Sequence, residues 1–440
     1  MAVWWRQGQW LQRRAAARYG DLFTLRIAQE DTWVVTSDPA VVKEVFTGDS
    51  TLLHAGEANR ILLPVLGRNS VLLLDEAEHL RQRKLMLPPF HGERMLGYTR
   101  LMTEIASQEI ESWPLERPYR LRPRMQALTL EIILRAVFGV SEGERLDEMR
   151  RELRRLLDTI TSPVTNVFLA LLGPARLSRS GQFHRALANA NRPIYEEIAY
   201  RRGEGGLEQR DDIMSLLLQA THEDGGPMSD EELRDELVTL LVAGHETTAN
   251  ALAWAVERLC RHPDKLARLR EEVEAGEDAY LEAVVQETLR LRPVISMVIR
   301  RLKAPMEIGG WPLPAGVSIA PSIYLMHRRA DIYPDPEAFR PERFIEQPPG
   351  TYTWIPFGGG IRRCLGAAFA QFEMKIVLRE LVLRRTLAPA RGASERVLRR
   401  AITETPSRDA EVVVGRPRAS GAASSRRPAT GAPTKQAALR

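Results

Sequence analysis

Apolar residues recur at helical spacing along most of the chain, and the clearest example lies in its second half. Ser229 and Glu232 have the spacing of an N-terminal capping box, and Pro263 marks the far end of the same apolar pattern. About thirty residues lie between these limits, and at 1.5 Å each they would span roughly 45 Å. The pattern therefore predicts one helix that is long enough to cross a large domain.

A second helix and two pairs of strands are also predicted. Apolar spacing indicates a helix over residues 278–291, and two other stretches have the short apolar limbs of paired strands. Residues 22–36 turn at a polar centre, and residues 305–320 turn at two glycines. No repeat and no long linker interrupts residues 19–415. We therefore expect a single large helical domain, mainly α with a small β part.

The two ends of the chain differ from this body. Residues 1–18 form an N-terminal lead that we leave without a defined element. Residues 416–440 consist mainly of Ala, Ser, Gly, Pro and Thr, and this composition predicts a disordered tail. The formal net charge of the chain is +5, and the six basic residues of the tail account for it. The body is therefore near neutral, and we expect no nucleic-acid partner.

Composition narrows the class further. The chain has 440 residues, of which 44% are hydrophobic, so it can bury a large core. Its two cysteines, Cys260 and Cys364, are too few for a disulfide framework, and a reducing, cytoplasmic setting is expected. A membrane span needs a run of about 18 apolar residues, and the sequence contains none. The first residues also lack the apolar centre of a signal peptide.

One cysteine lies in the stretch PFGGGIRRCLG, residues 356–366. Glycines let a backbone approach a flat cofactor closely, backbone N–H groups stabilise a metal-bound thiolate, and arginine binds carboxylates in pairs of hydrogen bonds. A surface loop with an incidental thiol is the alternative. A zinc site would need more nitrogen or sulfur ligands than this neighbourhood offers. A nucleophilic cysteine would need a histidine base from elsewhere in the chain.

Two other motifs are ambiguous when taken alone. AGHETT, residues 243–248, interrupts the long apolar pattern, and a buried carboxylate there would be costly without a partner or a task. The alternative is a threonine that bonds the carbonyl one turn earlier, with Glu246 at the surface. Glu287 and Arg290 are three residues apart, so they share a helix face and can form an ordinary salt bridge.

Together these motifs resemble those of the cytochrome P450 superfamily, the heme-thiolate monooxygenases. The resemblance runs from about residue 19 to residue 414, and the motifs follow the order of the family. ETLR at 287–290 is similar to the family's E-x-x-R helix, and AGHETT to its oxygen-activation motif. Arg343, in FRPERF, would join Glu287 and Arg290 in a buried ion network. The heme-binding loop F-x-x-G-x-R-x-C-x-G is matched by Phe357, Gly360, Arg362, Cys364 and Gly366.

The resemblance implies the cytochrome P450 fold, with the long central helix over a heme b whose axial ligand is Cys364. Phe357 would pack beside the sulfur. His79 and Arg83, in HLRQR, and Arg300 match residues that hold the heme propionates in the family, and Arg362 completes that set.

The same resemblance assigns catalytic roles in the long helix. Glu246 and Thr247 resemble the acid–alcohol pair that delivers protons to dioxygen. Ala243 and Gly244 would keep that wall of the pocket low and leave room for oxygen.

The stretches that meet substrate in the family are rich in apolar residues here, which suits a small apolar or amphipathic organic molecule. Glu404 is an acid among them, and it either contacts an amine or hydroxyl of the substrate or faces solvent. The apolar candidates are Leu62, Leu63, Val242, Val294, Ile295, Met297 and Val298.

No reductase domain follows the motifs, so the resemblance implies electrons from a ferredoxin and an NAD(P)H-dependent ferredoxin reductase. An acidic carrier would dock near Cys364, with Arg363 and Lys375 as candidate contacts. We expect a monomer that uses O2 to hydroxylate or epoxidise its substrate. Two alternatives stay open: peroxide-driven oxidation or an electron-independent rearrangement on the same heme, and a heme-binding sensor without turnover. Retention of the acid–alcohol pair favours the monooxygenase.

Overall fold

The structure is a computed structural model, and it describes residues 2–27, 31–90, 92, 94–139, 143–162, 165 and 180–416. Beyond residue 416 the predicted tail lies outside the described residues. The helices within these ranges are α1 (Ala2–Tyr19), α2 (Pro39–Thr47), α3 (Leu63–Leu66), α4 (Glu76–Met86), α5 (Arg94–Glu111), α6 (Arg122–Phe138), α7 (Glu144–Thr161), α8 (Gly181–Glu204), α9 (Ile213–Gln219), α10 (Asp230–Arg261), α11 (Pro263–Glu274), α12 (Ala279–Leu291), α13 (Ile323–Met326), α14 (Arg343–Glu346) and α15 (Ala367–Arg384). The strands are β1 (Leu22–Ile27), β2 (Asp31–Thr36), β3 (Leu53–His54), β4 (Pro118–Arg120), β5 (Arg300–Leu302), β6 (Met306–Ile308), β7 (Trp311–Leu313), β8 (Ser318–Pro321), β9 (Thr386–Pro389), β10 (Val397–Arg400), β11 (Thr403–Pro406) and β12 (Glu411–Gly415).

The predicted long helix is α10, and its 32 residues cross the centre of the fold. Ser229 Oγ accepts a hydrogen bond from the Glu232 N–H at 3.2 Å, and the Glu232 carboxylate accepts one from the Ser229 N–H at 2.7 Å. These two bonds confirm the predicted capping box. The helix packs most extensively against α6 and also contacts α12 and α15. Every residue from Thr248 to Cys260 is buried as a result.

The strands form small sheets beside this helical core. The largest has the order β1-β2-β8-β5-β3, with β2 and β8 parallel and the other pairs antiparallel. The predicted pair over residues 22–36 is β1 and β2, and the predicted turn at Gly309 and Gly310 joins β6 to β7. Both glycines have positive φ, at 60° and 78°, which explains why the turn uses them. The expected fold class, mainly α with a small β part, is confirmed.

Two further sheets place segments of the second half of the chain against α10. Strands β4, β12 and β9 form a three-stranded sheet in the order β4-β12-β9, and β10 pairs with β11 in a hairpin. Both β9 and β11 contact α10. Within the described ranges, no helix has the length and apolar character of a membrane span.

The N-terminal lead, for which the sequence predicted no element, is the helix α1. Gln12 is buried there and its side-chain oxygen accepts a hydrogen bond from Ser322 Oγ at 2.7 Å. Ala15 is also buried, in an apolar cluster with Phe23 and Trp33 of the large sheet. Residues on one face of α1 therefore pack onto the body of the fold.

Candidate active site

Cys364 lies between a short 3-10 turn and the start of α15, and its N–H donates to Phe357 O at 3.0 Å. Part of the Cys364 side chain is accessible, but the surrounding atoms are mostly protein and not bulk water. This desolvation raises the pKa of the thiol. The Gly366 N–H, Arg83 and Arg363 act in the opposite direction. A thiol that is both accessible and desolvated indicates an internal cavity next to the sulfur.

Glycines shape the loop before this cysteine. Gly360 has φ of 64°, and a Cβ there would overlap the Phe46 carbonyl oxygen. A Cβ at Gly359 would overlap the Phe46 ring. The loop therefore packs closely on α2. At Gly366, by contrast, no described atom outside its chain neighbours lies within 4 Å of the Cβ position, so the loop is open on that side.

The middle of α10 is accessible, unlike the parts of the helix on either side of it. Residues 233–239 and 248–260 of this helix are buried, whereas Ala243 between them is exposed and Thr247 is half-accessible. Accessible surface in the middle of a helix that is buried on both sides indicates a cavity inside the fold. Ala243 and Thr247 are one turn apart, so they share the face that lines it.

Gly244 has a different role from the expected one. A Cβ at this position would lie 2.8 Å from Ile133 Cδ1 of α6. Glycine therefore allows α6 and α10 to pack closely, and the expectation that Gly244 lowers the pocket wall is not met. The next residue, His245, is also directed at α6, where its Nδ1 lies 3.0 Å from Thr129 Oγ1. Burial, together with Arg154 and Arg122, lowers the pKa of His245 to about 3.

Thr247 and Glu246 make different contacts. Thr247 Oγ donates to Ala243 O at 2.5 Å, the bond expected of a threonine inside a helix. This is the threonine bond that the alternative interpretation of AGHETT expected, but Glu246 is buried, so the part of that alternative that places it at the surface is wrong. In the described structure its carboxylate accepts from Arg122 Nη1 at 3.3 Å, Gln126 Nε2 at 2.8 Å and Asn250 Nδ2 at 3.2 Å. The carboxylate is therefore held on the α6 side of the helix.

The contacts of Arg122 extend this network. Its Nε donates to Asp409 Oδ1 at 2.6 Å, and Arg400 Nη2 donates to the same oxygen at 3.0 Å. Arg120, whose side chain is 69% exposed, lies 3.9 Å from the other Asp409 oxygen. A chain of charged groups thus connects Glu246 with the surface. Nothing in the local sequence of Arg122 or Asp409 indicated this role, because the partners are more than 120 residues apart.

A basic cluster lies beside Cys364, formed by His79, Arg83, Arg300 and Arg362. Burial and then the three arginines lower the pKa of His79 to about 3, so the four groups are electrostatic neighbours. Burial and neighbouring arginines also lower the pKa values of Arg300 and Arg362 to about 10. The Arg362 guanidinium donates to Asp75 at 2.5 Å, and Arg83 donates to Arg363 O at 2.8 Å.

This cluster provides a test of whether heme fits. Asp75 acts electrostatically on Arg300 and Arg362, whereas Cys364 and Arg363 act on Arg83. The buried His79 Nδ1 has no hydrogen-bond partner among the described residues. Arg300 is buried, and Arg83 and Arg362 are half-buried. Such an excess of cations beside an unsatisfied imidazole nitrogen favours an anionic group. The two carboxylates of heme b meet that need, next to a thiol that borders a cavity, and so the residues fit the cofactor.

The predicted ion network around Glu287 is present. Arg290 donates to both Glu287 oxygens, at 2.6 and 2.9 Å, and both side chains have no exposed surface. Arg343 Nε lies 3.2 Å from Glu287, as expected. Sequence reasoning missed His327, which accepts from the Ile355 N–H at 2.9 Å. Because that nitrogen accepts, the other ring nitrogen carries the proton and donates to Arg290 O at 3.2 Å. His327 thus connects the network to the segment before Cys364.

The substrate candidates divide into three groups. Leu62, Val242, Ile295 and Val298 are half-buried, whereas Leu63 is 44% exposed. Val294 and Met297 are buried in two different apolar cores. The structure therefore places Val294 and Met297 in the packing of the fold, which corrects their assignment to the pocket.

Glu404 is not solvent-facing, and that expectation is wrong. It is 6% exposed, and its carboxylate accepts from Gln9 Nε2 of α1 at 2.5 Å. Burial raises its pKa to about 7, with Gln9, Arg399, Arg328 and Ser296 acting in the opposite direction. The carboxylate thus holds α1 on the β10–β11 hairpin, and its assignment as a substrate contact is corrected.

Comparisons with known proteins agree with this site. Residues 2–407 match the family profile described as cytochrome P450. Cytochrome P450 135B1 of Mycobacterium tuberculosis is 43% identical over 405 residues, which cover 90% of this chain and 85% of that protein. Cytochrome P450 137 of the same species is 38% identical over 403 residues, with 91% and 84% covered.

Solved structures give the same fold. A retinoic-acid-bound cyanobacterial protein, CYP120A1, matches with a TM-score of 0.82 at 24% identity, over 93% of this chain and 95% of that chain. The heme domain of cytochrome P450DA matches with a TM-score of 0.78 at 25% identity, over 92% of each chain. The fold, the profile and the mycobacterial relatives agree with the motifs around Cys364 and Glu287. The chain belongs to the cytochrome P450 family, whose members are monooxygenases that bind heme b.

Proposed function

We propose that this monooxygenase hydroxylates or epoxidises an apolar or amphipathic organic molecule, with Cys364 as the axial ligand of its heme. The observation that carries the proposal is the accessible but desolvated Cys364 thiol beside the basic cluster. When bound, heme b supplies the redox chemistry that activates dioxygen and inserts one oxygen atom into the substrate.

The basic cluster has the chemistry to hold the cofactor. Arg83, Arg300 and Arg362 would neutralise its two carboxylates, and His79, being neutral, would donate its free Nδ1–H to one carboxylate oxygen. Gly366 leaves space beside the thiol for a flat ring. The Gly366 N–H also opposes the desolvation of the sulfur and thus favours its thiolate form.

Thr247 and Glu246 are the residues that we assign to proton delivery. The Thr247 hydroxyl is at the cavity wall, and its hydrogen bond to Ala243 O fixes the position of its oxygen. That oxygen can accept a hydrogen bond from a donor in the cavity and pass its own proton on. Glu246 lies on the other side of the helix, on the chain of charged groups that reaches the surface. We assign it the exchange of protons with solvent.

The half-buried apolar residues are our candidates for the substrate pocket. Leu62, Val242, Ile295 and Val298 are neither fully packed nor fully exposed, which is the burial expected of a cavity wall. Such a lining favours a substrate with little charge.

Electrons would come from a ferredoxin and its NAD(P)H-dependent reductase. Arg363 is exposed next to Cys364 and can meet an acidic carrier. Lys375 is a weaker candidate, because its ammonium group lies 3.6 Å from the Glu282 carboxylate.

Ligation by Cys364 can be tested spectroscopically. Wild-type protein loaded with heme should give, after reduction and exposure to carbon monoxide, the visible absorption that distinguishes thiolate from imidazole ligation. Cys364→Ser should lose this signature, whereas Cys260→Ser, which changes the buried thiol of α10, should keep it. A wild-type spectrum of imidazole type would overturn the proposal.

The source of electrons and oxygen is tested by turnover. An apolar compound that displaces the iron-bound water can be found by its visible-spectrum shift and then used as substrate. Product should form with O2, NAD(P)H, ferredoxin and reductase. Product formation with peroxide alone, and none with the carriers, would favour the peroxide-driven reaction instead.

A further inference from the structure

One turn of α10 is bonded to residues 65–75, the segment that follows the pocket candidates Leu62 and Leu63. Asp235 accepts from both the N–H and the side-chain amide of Asn69, at 3.0 Å each. The Arg234 guanidinium donates to Leu66 O at 3.2 Å and to Val65 O at 3.1 Å, and it pairs with Asp235 at 2.7 Å. Both charged side chains are buried.

Two further bonds extend this contact along the helix. Glu236 accepts from the Val71 N–H at 2.8 Å, and Thr239 donates to Ser70 Oγ at 2.7 Å. Thr239 is one turn before the accessible Ala243, a rise of about 6 Å along the helix. The 65–75 segment therefore crosses α10 immediately next to the part of the helix that lines the cavity.

The far end of the 65–75 segment is held at the cysteine loop. Arg362, two residues before Cys364, donates to Leu74 O at 2.7 Å and to Asp75 at 2.5 Å. The segment thus connects the helix that forms one wall of the cavity with the loop that carries the thiol. Arg362 Nη1 also donates to Val71 O at 3.4 Å, and Asn59 Nδ2 donates to Leu72 O at 3.1 Å. Opening of the segment therefore breaks these bonds together with those to the 234–239 turn.

We infer that the 234–239 turn of α10 is a latch that keeps the 65–75 segment closed over the pocket. Arg234 and Asp235 are its positioning residues, and the latch sets how fast apolar molecules enter and leave. This inference rests on the proposed function, which places a substrate pocket in the cavity. Local opening of such a segment has its own free energy, below that of global unfolding. The charged hydrogen bonds of Arg234 and Asp235 contribute to that free energy, because such bonds are stronger than neutral ones.

Gly67 indicates how closely the segment and the turn fit. Its φ is 84°, and a Cβ there would overlap the Asp235 carboxylate. The backbone of the segment therefore lies directly on the charged group. A side chain at this position is incompatible with the closed arrangement.

The test compares Asp235→Asn with wild-type holoenzyme. The change keeps the shape of the side chain but replaces one carboxylate oxygen with an NH2 group, which donates hydrogen bonds. That group must face either the Arg234 guanidinium or the Asn69 amide, both of which are donors themselves, so one of these bonds is lost. Hydrogen exchange of peptides that span residues 65–75, followed by mass spectrometry, should become about tenfold to hundredfold faster. The association and dissociation rates of 4-phenylimidazole, an apolar ligand of heme iron followed by its absorbance change, should both rise, with a smaller change in their ratio. Glu231→Gln removes a charge from an exposed position of the same helix and should change neither rate.

A second variant covers the case in which Asp235→Asn does not fold. Asn69→Ala removes the side-chain bond from the segment and leaves the buried ion pair intact, so it should show the same changes to a smaller degree. Faster exchange with unchanged 4-phenylimidazole rates would overturn the inference while leaving the proposed function in place. Unchanged exchange would overturn it as well. A wild-type protein without a heme signal would instead overturn the proposed function, and the inference with it.

Discussion

Arg122 and Glu246 form a buried ion pair, with 3.3 Å between the guanidinium Nη1 and the carboxylate Oε1. The pair joins the first residue of α6 to the centre of α10, and Arg122 also binds Asp409 at 2.6 Å. One guanidinium therefore compensates two buried carboxylates. The orientation of the assigned proton donor depends on a residue that is remote in the sequence.

Arg122→Met should destabilise the protein strongly. Removing one partner of a buried pair leaves an unpaired charge, which costs about 3–5 kcal/mol. Urea unfolding should show this loss. Arg124→Met is the matched control on the same helix, since Arg124 is 41% exposed and pairs with Glu109 at 3.5 Å; a surface pair contributes about 0–1 kcal/mol. Equal effects of the two substitutions would contradict the importance of burial.

His327 should make the stability of the protein fall in acid. Burial, followed by Arg290 and Arg328, holds its pKa well below 6.5, so the folded protein keeps it neutral while the unfolded chain takes up a proton. The unfolded state therefore binds more protons below about pH 6.5, and stability decreases there by up to about 1.4 kcal/mol per pH unit.

His327→Gln keeps an acceptor for the Ile355 N–H but cannot take up this proton, so its stability should depend less on pH below 6.5. Unfolding free energies between pH 4 and pH 7 measure the difference. His184→Gln, at an exposed position, serves as the control and should follow the wild type. A wild-type slope in the His327→Gln protein would show that His327 is not responsible.

Thr247→Ala should separate electron use from product formation. Without the hydroxyl at the cavity wall, product formation should slow by about 100-fold, the lower end of the effect of a positioned proton donor. Consumption of NAD(P)H should fall much less. The ratio of product to NAD(P)H measures the effect, and Thr247→Ser, which keeps the hydroxyl, should restore most of it. An unchanged ratio in Thr247→Ala would refute the role assigned to this residue.

Local patterns in the sequence predicted the features that depend on nearby residues. The capping box at Ser229, the turn at Gly309 and Gly310, and the Glu287–Arg290 pair each involve groups within a few positions of one another. Propensity and periodicity act over that range, so these predictions hold. The cysteine loop was found because its spacing resembles that of a known family.

Features that depend on tertiary contacts could not be predicted in this way. Gly244 looked like part of a pocket wall, but its neighbour is Ile133 of α6. Glu404 was expected to contact either substrate or solvent, but Gln9, 395 positions earlier, bonds its carboxylate. An apolar or acidic residue has the same local pattern whether it faces a cavity or another helix, and only the assembled fold decides between them.

Substitution of alanine for glycine should be harmful at Gly360, where it should lower the heme content, and favourable at Gly97, where it should raise the stability of the fold. Gly360→Ala forces a side chain into the Phe46 carbonyl at a backbone φ of 64°, so it should displace the cysteine loop and reduce the fraction of protein that binds heme. Gly97 is at an exposed position of α5, and outside its own turn of helix no described atom lies within 4 Å of its Cβ position. Gly97→Ala should therefore stabilise the protein by about 0.5–1 kcal/mol. Heme content per protein and the urea midpoint measure the two effects. Normal heme content in Gly360→Ala would contradict the close packing described for the loop.

Glu236 should make stability decrease as the pH rises towards 8. Burial raises its pKa to about 8; Asp235 and Glu232 act in the same direction, while the Val71 N–H and Gln82 oppose them. The ordinary pKa of a glutamate is 4.5, so between pH 4.5 and pH 8 the folded protein binds a proton that the unfolded chain has lost. Stability falls through this window by on the order of 1 kcal/mol per pH unit.

Glu236→Gln keeps the acceptor for the Val71 N–H and carries no charge at any pH, so its stability should exceed that of the wild type increasingly from pH 5 to pH 8. Urea unfolding across this range gives the difference. Glu231→Gln, on the exposed side of the same helix, should leave the wild-type curve unchanged. Because Glu236 holds the 65–75 segment, hydrogen exchange of that segment should also quicken in the wild type at higher pH, after correction for the intrinsic rate, but not in Glu236→Gln. Parallel stability curves for wild type and Glu236→Gln would mean that this carboxyl group ionises at its ordinary pH despite its burial.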